Sequence, residues 1–326
     1  MALPENDLKE LLGQYGDFSL AASVAQPGMK FHGSSSGGLF YAERQTRRRS
    51  MRFVLGDPVA DQSDWPALLD AFLLNSDDAV FLNVGEPLAK LLAEHGFYSN
   101  SIGWEALIEL ETYSFSGPRK QNIRNAVRRC ENSGFVVEEA GPSRDVWLEI
   151  DRVSQAWLER KSVSRPENRL ITRPLLPHSH GQRIFLLRDA CGQVVHFVTF
   201  DEMHKGGELV GLHANINRGL PSSPKNADYA ILAHVMERLK SERVRYLSLG
   251  LCPDFSFARN AKTENLYLYV CMEIGSKLGR GIYNLAGISQ HKAEFRPEIK
   301  RRVFVSTRNP WPLPSVAWTL WAMNLV

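Results

Sequence analysis

The stretch GIYNLAGISQHKAEFRP, residues 281–297, is the most informative part of this chain. Its first residues, Ile282, Tyr283 and Leu285, predict a strand that breaks at Gly287. The polar segment that follows contains His291, Lys292, Glu294 and Arg296, and the stretch closes with Phe295 and Pro297. A basic segment directly behind an aromatic strand fits a site for an anionic ligand. A last core strand followed by a solvated loop explains the same residues, since Lys and Glu side chains are mostly exposed in any protein.

Composition sets the broad class of the protein. The chain has 326 residues, which is long for one domain and sufficient for two. Its formal charge of +3 is small, so any basic character must be local. No run approaches the ~20 apolar residues that span a bilayer, and the acidic start of the chain lacks the apolar core of a signal peptide. The scattered cysteines form no C-x-x-C pair, which argues against a metal or a disulfide framework and predicts a cytoplasmic protein.

Residues 117–134 carry the sharpest local charge. They predict a helix in which Ile123, Val127 and Cys130 face inward, and Lys120, Arg124 and Arg128 are spaced four residues apart on one face. No acidic residue follows until position 131, whereas a purely solvated helix more often alternates its charges. The pattern indicates either a surface for a polyanion or a solvated face.

The second half of the chain predicts alternating strands and helices. A helix over residues 143–161, capped by Ser143, precedes them. The strands and helices follow at residues 183–188, 194–201, 208–216, 228–241, 246–251 and 264–278. The first half has a similar but looser order, so the fold class is α/β, with α+β mixed sheets.

The strand over residues 208–216 has polar side chains at every second position. His213, Asn215 and Asn217 alternate with apolar residues, so they share one face. This predicts either a lined cleft or an edge strand with one face in water. His213 is the histidine that we nominate for proton transfer.

The C-terminal residues are apolar and rich in tryptophan. Trp311, Trp318 and Trp321 follow the basic residues Arg301, Arg302 and Arg308. Indole rings behind basic residues suit a membrane interface. A tail that docks on the protein and completes its core is the equal alternative.

Several short motifs, in this order along the chain, resemble one known family. They are Gly56-Asp57-Pro58-Val59, Phe115-Ser116-Gly117 with Lys120 and Arg124, Val153-Ser154-Gln155-Ala156-Trp157-Leu158, Leu249-Gly250-Leu251-Cys252-Pro253, and Tyr283-Asn284 with Gly287, Lys292, Phe295 and Pro297. The chain resembles the catalytic domain of the bacterial phosphatidylglycerol aminoacyl-transferases (lysyl- and alanyl-phosphatidylglycerol synthases), which are related to the FemABX peptidyltransferases.

The resemblance implies two tandem GNAT-like acyltransferase domains joined by a long helix. Residues 1–142 are then the first domain, 143–162 the linking helix, 163–309 the second domain with the transfer cleft, and 310–326 the apolar tail. It also implies transfer of an aminoacyl group from aminoacyl-tRNA, the co-substrate, to a lipid hydroxyl without a further cofactor. The ester is already activated, so the protein works mainly by positioning and by stabilising an oxyanion. The expected partners are the acceptor end of tRNA and an anionic phospholipid or membrane surface, with peripheral attachment to the inner membrane.

These patterns and the resemblance together give the candidate site residues. The catalytic set is His213, Asn215, Arg218 and Lys292, and the substrate-binding set is Trp157, Lys161, Tyr283, Asn284 and Glu294. The tRNA-binding set is Lys120, Arg124 and Arg128, and the membrane-facing set is Trp311, Trp318 and Trp321. The chain departs from the family at residues 213–216, where an Asp-Leu-Met-Arg type sequence is usual, and at Glu294, where a second lysine is usual. The amino-acid preference of the family therefore does not transfer.

Two other functions fit the same residues. One is a GNAT-type N-acyltransferase with an acyl thioester donor, whose pyrophosphate is held by the loop of residues 222–227 at the helix start. The other is a non-catalytic protein of the same fold that binds a membrane surface.

Overall fold

The computed structural model describes residues 3–47, 49–74, 78–141, 143–160, 169–175, 177, 180–255, 262–278 and 285–324. The strands are β1 (Lys30–Ser34), β2 (Gly37–Gln45), β3 (Ser50–Leu55), β4 (Ala79–Gly85), β5 (Tyr98–Glu109), β6 (Val136–Glu139), β7 (Gln182–Arg188), β8 (Val194–Lys205), β9 (Glu208–Gly219), β10 (Tyr246–Pro253) and β11 (Ile299–Thr307). The helices are α1 (Glu5–Tyr15), α2 (Trp65–Leu73), α3 (Glu86–Glu94), α4 (Gln121–Asn132), α5 (Arg144–Glu159), α6 (Ala227–Ser241), α7 (Leu266–Leu278), α8 (Leu285–Glu294) and α9 (Leu313–Ala322).

The strands form one continuous sheet in the order β1-β2-β3-β4-β11-β5-β10-β9-β8-β7-β6. The pairs β3–β4 and β9–β10 are parallel, and the other neighbours are antiparallel. The predicted mixed α/β class is confirmed. The sheet also mixes the two halves of the chain, because the late strand β11 lies between the early strands β4 and β5. The division into tandem domains stays a prediction.

Helices cover both faces of the sheet. In β3, Phe53 and Leu55 pack in a cluster with Leu11 of α1 and Ala322 of α9. Val54, between them, packs on the other face with residues of α2 and α3. Successive side chains of a strand point to opposite faces, so the apolar run of residues 53–55 in β3 must be covered on both sides.

Helix α5 confirms the helix predicted over residues 143–161. The Ser143 hydroxyl accepts a hydrogen bond from the Val146 N–H, as expected of an N-cap. Ile150 and Val153 are buried and face the sheet, where the helix packs on β8 and β9. This packing places the end of α5 beside the polar strand β9.

The strand predicted at the start of residues 281–297 is wrong in its described part. Leu285 begins α8, and Gly287 lies inside that helix; residues 281–284 are outside the described ranges. The helix packs on β10, where the Ser289 hydroxyl donates to the Pro253 carbonyl at 3.0 Å. Helical spacing gives this polar segment a face toward the sheet, which a strand followed by a loop would not have.

Candidate functional site

The site lies where the parallel strands β9 and β10 part. Their pairing comprises Tyr246–Gly211, Leu247–Leu212 and Ser248–His213, although both strands continue further. On its other side β10 shifts its register against β5 between Ser248 and Leu251. The backbone of β10 therefore turns away from β9 directly after Ser248, and a space opens between the two strands.

A chain of hydrogen bonds holds His213 at this point. The Ser248 hydroxyl donates to Glu105 Oε1 at 2.6 Å and accepts from the Gly250 N–H at 3.1 Å. His213 Nδ1 lies 3.2 Å from the same hydroxyl oxygen. A hydroxyl has one proton to donate, and Glu105 receives it, so Nδ1 of His213 must carry the proton of this bond. The other ring nitrogen, Nε2, is then the unprotonated one, and it can accept a proton.

Gly250 allows two side chains, those of His213 and Lys292, to approach β10 closely. Its φ of +77° is in the left-handed region that favours glycine. A Cβ at this position would lie 2.8 Å from Cε1 of His213 and 3.3 Å from Nζ of Lys292. Because glycine has no side chain, His213 and Lys292 can both lie next to the same short part of β10.

Lys292 reaches this piece of strand from α8. Its Nζ donates to the Leu251 carbonyl at 2.9 Å. Burial lowers the pKa of Lys292 to about 8, although the charges of Cys252 and Glu105 act to raise it. Burial and the charge of Lys292 lower the pKa of His213 to about 3. At neutral pH the site therefore pairs a neutral imidazole with an ammonium group.

The space between the strands is a cavity of about 1280 Å³ with mostly apolar walls. His213, Asn215, Asn217 and Lys292 all line it, so the polar face predicted for residues 213–217 borders a cleft. The cavity wall also contains several cationic side chains, namely Arg160, Arg173, Arg218 and Lys292. Arg173 is paired with the buried Asp201 at 3.0 Å. An apolar cavity with cations on its wall can accept an anionic amphiphile.

A smaller, polar pocket of about 450 Å³ lies on the other side of His291. Asn226 and His291 belong to the walls of both spaces. His291 Nε2 is 2.6 Å from Asp228, which also accepts from Asn217 at 3.1 Å. Burial acts to raise the pKa of Asp228, but the hydrogen bond and charge of His291, with smaller contributions from other neighbours, bring it below the ordinary value. This ionic group marks the place where the apolar and polar spaces adjoin.

The remaining predicted site residues have different surroundings. Asn215 donates to Asp201 at 2.9 Å, which ties it to the buried Arg173 pair. Arg218 is buried, contacts Ser154, and its guanidinium lies 5.0 Å from the centre of the Trp157 ring on the cavity wall. Glu294 accepts from Asn122 at 3.0 Å and borders the polar pocket instead of the main cavity. The predicted residues Lys161, Tyr283 and Asn284 lie outside the described part of the chain.

The basic residues of the predicted tRNA surface are not equivalent. Lys120 donates to the Ser114 carbonyl at 2.7 Å and lies 3.5 Å above the Tyr113 ring. Arg124 donates to the carbonyls of Phe115 and Gly117 at 2.7 and 2.6 Å. Both cations therefore hold the loop that precedes α4. Arg128 is exposed on the helix.

The C-terminal tail packs on the protein and forms one wall of the cavity. Ser315, Val316, Thr319, Leu320 and Met323 line it. Trp318 and Trp321 are half-buried and pack edge to face with ring centres 5.4 Å apart. Trp311, by contrast, is exposed and stacks on Tyr267. A lipid-facing role for these tryptophans stays a prediction.

Sequence reasoning did not find Ser248 and Glu105. Each is a buried polar residue within a largely apolar strand, in the segments YLSLG and GWEALI. A charged residue inside a buried strand needs a partner, so Glu105 was a signal, visible in the sequence, that a polar contact exists there. The partner, however, comes from a strand 143 positions away along the chain.

Two features are absent from the described residues. No group of three or more His, Cys, Asp or Glu side chains there could hold a metal ion. Among the same residues, no helix is both long enough and apolar enough to span a membrane.

Comparison with known proteins identifies relatives of this chain. The family model described as "Phosphatidylglycerol lysyltransferase, C-terminal" matches residues 9–306. A phosphatidylglycerol lysyltransferase of Staphylococcus aureus (strain MSSA476) is 27% identical over 312 residues, which are 92% of this chain and 35% of that protein. The corresponding protein of Bacillus subtilis (strain 168) is 22% identical over 288 residues, 86% of this chain and 32% of that protein. The chain thus spans about a third of the length of the curated relatives it matches.

Solved structures share the fold. L-PGS from Bacillus licheniformis superposes with a TM-score of 0.79 at 20% identity, covering 98% of this chain and 95% of that chain. FemX superposes with a TM-score of 0.60 at 9% identity, covering 97% of this chain and 98% of that chain. At these identities the likeness concerns the fold alone.

Proposed function

The chain belongs to the family described as phosphatidylglycerol lysyltransferase, C-terminal, and from this premise we propose that it transfers an aminoacyl group from aminoacyl-tRNA to a hydroxyl group of an anionic, phosphatidylglycerol-like lipid. The observation that carries the proposal is that two unlike spaces share the wall residues Asn226 and His291, and that His291 is adjacent in sequence to Lys292. A large apolar cavity suits acyl chains, and a polar pocket beside α4 suits the end of a nucleic acid. His213 and Lys292 lie on the cavity wall near the residues that both spaces share.

The proposed reaction is an ester exchange. Nε2 of His213 accepts the proton of the lipid hydroxyl, whose oxygen attacks the carbonyl carbon of the aminoacyl ester. The ammonium group of Lys292 stabilises the negative charge that develops on the carbonyl oxygen. The bond to the ribose oxygen then breaks, and that oxygen takes the proton back from His213. One ester bond forms as another breaks, so no oxidant, reductant or nucleoside triphosphate is needed.

The hydrogen bonds around His213 support its role as the base. Glu105 and Ser248 direct the Nδ1 proton away from the cavity, as the carboxylate does for the histidine in hydrolase triads. The low pKa of His213 keeps Nε2 unprotonated over the whole physiological range. In general-base catalysis the imidazole accepts the proton only as the new bond forms.

A transfer assay tests this function. Purified protein is incubated with phosphatidylglycerol vesicles and tRNA charged with one labelled amino acid at a time, and label in the lipid extract is counted. We expect label for at least one amino acid, abolished by ribonuclease and unaffected by coenzyme A. His213→Gln should lower the rate by roughly 10²–10³-fold because the base is lost.

The matched control is His204→Gln, a half-exposed histidine on β8 that lies outside both pockets. Its rate should equal that of the unchanged protein. Failure of every charged tRNA to label lipid would overturn the proposal, and so would an unaltered rate in a folded His213→Gln protein.

A further inference from the structure

A second group of hydrogen-bonded side chains lies on the wall of the large cavity. Nδ1 of His196, on β8, is 2.9 Å from the Ser223 hydroxyl oxygen, and its Nε2 is 2.6 Å from Oδ1 of Asn217. The amide nitrogen of Asn217 donates to Asp228 at 3.1 Å. We call Ser223, His196, Asn217 and Asp228 the serine group. All four line the cavity, and the proposed transfer uses none of them.

The carboxylate of Asp228 sets the direction of every hydrogen bond in the serine group. Although burial acts to raise it, the pKa of Asp228 lies below its ordinary value, so the carboxylate is ionised and only accepts. Asn217 therefore turns its NH₂ toward Asp228 and its carbonyl oxygen toward His196. Since that oxygen only accepts, Nε2 of His196 carries the ring proton. Nδ1 is left unprotonated, and the Ser223 hydroxyl donates to it.

A serine hydroxyl that donates to a neutral imidazole is an activated nucleophile. The imidazole can take the proton as the oxygen attacks, and a third polar group holds the ring in the required tautomer. Burial lowers the pKa of His196, so the ring is neutral at physiological pH. The serine group thus has the parts of a hydrolase triad, with Asn217 as the group that orients the histidine.

The backbone around the serine group fixes its geometry. The Leu220 N–H donates to the Val195 carbonyl at 2.8 Å, and the Ser223 N–H donates to the Leu220 carbonyl at 3.0 Å. These bonds hold the serine loop against β8, directly beside His196. A Cβ at Gly219 would overlap Nδ1 of His196, so the glycine makes room for the ring at the end of β9. The nucleophile and its base are therefore both positioned before any substrate binds.

The serine group is separate from the transfer centre. His213 and Asn217 lie on the same face of β9 but four positions apart, which is about 13 Å along a strand. Both open to the same cavity of about 1280 Å³ with mostly apolar walls. A positive charge also lies on this wall, where Arg160 donates from Nη2 to the Gly219 carbonyl at 2.8 Å. The space beside Ser223 thus suits a substrate with an apolar part and a carbonyl oxygen that becomes negative.

We propose that Ser223 is the nucleophile of a second, hydrolytic centre, which cleaves carboxylic esters that have an apolar part. Oγ of Ser223 attacks the ester carbonyl carbon while its proton passes to Nδ1 of His196. The bond to the alcohol oxygen breaks, and the alcohol leaves with that proton. Water then attacks the acyl-serine ester and gives one proton to Nδ1, and the serine oxygen takes that proton as it leaves. The products are a carboxylic acid and an alcohol, and water is the only other reactant.

Labelling with a fluorophosphonate identifies the nucleophile in the unchanged protein. The full chain is treated with the reagent, digested, and its peptides are analysed by mass spectrometry. We expect an adduct on Ser223 and none on Ser222, its exposed neighbour. His196→Gln should label roughly 10²–10³-fold more slowly, because the base is lost. This measurement needs no substitution at Ser223, so it decides the proposal even if a variant there misfolds.

Turnover of p-nitrophenyl octanoate measures the hydrolysis itself. We expect release of p-nitrophenolate by the unchanged protein and, for a folded Ser223→Ala protein, only the rate of the buffer. Ser222→Ala is the matched control, since Ser222 is exposed on the same loop and lies outside both pockets. Its rate should equal that of the unchanged protein.

Asn217→Ala tests whether this residue positions the imidazole. Burial lowers the pKa of His196, whereas its bond to Asn217 and the charge of Asp228 act to raise it. Without the bond the pKa of His196 falls further, so labelling of Ser223 should be slower and its loss in acid should move to lower pH. If the hydrogen bonds only hold the loop, the melting temperature changes and the pH midpoint of labelling does not.

Three outcomes would overturn the hydrolytic centre. They are a protein without an adduct on Ser223, an adduct at another residue in its place, and equal hydrolysis by a folded Ser223→Ala protein. The assays contain neither tRNA nor vesicles, and the proposed centre acts independently of the transfer. Failure of hydrolysis therefore leaves the proposed function standing, and failure of transfer leaves this inference standing.

Discussion

His213 and Lys292 form a pair whose charges are set by burial. The imidazole is neutral because desolvation disfavours its charged form, and the nearby ammonium group adds to that effect. Lys292 retains its proton at neutral pH with a pKa lowered to about 8. One group can therefore accept a proton while the other supplies positive charge, and both act in the same small space.

The lowered pKa of Lys292 predicts how the transfer rate depends on pH. Below pH 8 the ammonium form is present, and His213 stays unprotonated down to about pH 3, so the rate should be constant from pH 5 to 7. Above pH 8 the ammonium form is lost, and the rate should fall by up to tenfold per pH unit. Single-turnover rates, corrected for spontaneous ester hydrolysis, measure this profile.

Lys292→Arg is the control for this profile. Arginine stays charged at these pH values because its pKa is above 12. The fall in the transfer rate above pH 8 should therefore disappear, even if the rate itself is lower. A rate that rises through pH 8 in the unchanged protein would mean that Lys292 acts as a base, and the assigned role would be wrong.

At the scale of single elements, α4 combines two tasks. Lys120 and Arg124 hold the carbonyls of the preceding loop, and Arg128 faces solvent from the helix itself. The like charges that predicted a polyanion surface are thus partly explained by local hydrogen bonds. What remains for a nucleic acid is the exposed part of the helix, next to the polar pocket that Asn122 and Arg129 border.

We expect the two kinds of α4 residue to respond differently to substitution. Arg128→Gln should reduce the salt dependence of tRNA binding by about one unit in the logarithmic slope, with an unchanged melting temperature. Lys120→Gln and Arg124→Gln should instead lower the melting temperature, because loop carbonyls lose their donors. Filter binding across a salt series and thermal melting measure the two effects.

Arg245→Gln serves as the control, since this arginine is 63% exposed beside Glu109, away from the polar pocket. Its salt slope should match that of the unchanged protein. An unchanged slope for Arg128→Gln as well would mean that the helix face is only solvated.

At the scale of the whole molecule, the sheet joins both halves of the chain. β11 provides the contact between β4 and β5, and β6 pairs with β7 of the second half. The site depends on this arrangement, because Glu105 of β5 must lie next to Ser248 of β10. Glu105, on the early strand β5, thus begins the chain of hydrogen bonds that ends at His213 on the later strand β9.

This arrangement predicts that residues 1–142 do not fold alone. Without β11, strands β4 and β5 have no common neighbour, and their edges are unpaired. The fragment should melt without a cooperative transition in circular dichroism, whereas fragments 1–162 and 163–326 produced together should associate and melt as one unit. Cooperative melting of the isolated fragment would instead support an independent first domain.

Much of the local structure could be predicted from sequence. The helices at residues 121–132 and 144–159 and the polar face of β9 follow from side-chain spacing, which the local backbone fixes. Ile282, Tyr283 and Leu285 predict a strand at the point where Leu285 begins α8, because short apolar runs do not distinguish a strand from a helix. The helical form of α8 depends on packing against β10, which the local sequence does not encode.

The sequence by itself predicted most of the elements, the family, and His213 and Lys292 as candidate reactive side chains. Only the tertiary structure decided that Glu105, Ser248 and His213 form one chain of hydrogen bonds, that Gly250 lets Lys292 approach it, and that β11 lies between β4 and β5. The physical reason is distance along the chain. Side-chain periodicity reports on structure over a few residues. The hydrogen bonds of Ser248, by contrast, join it to residues 35 and 143 positions away along the chain, and they depend on how the whole sheet pairs.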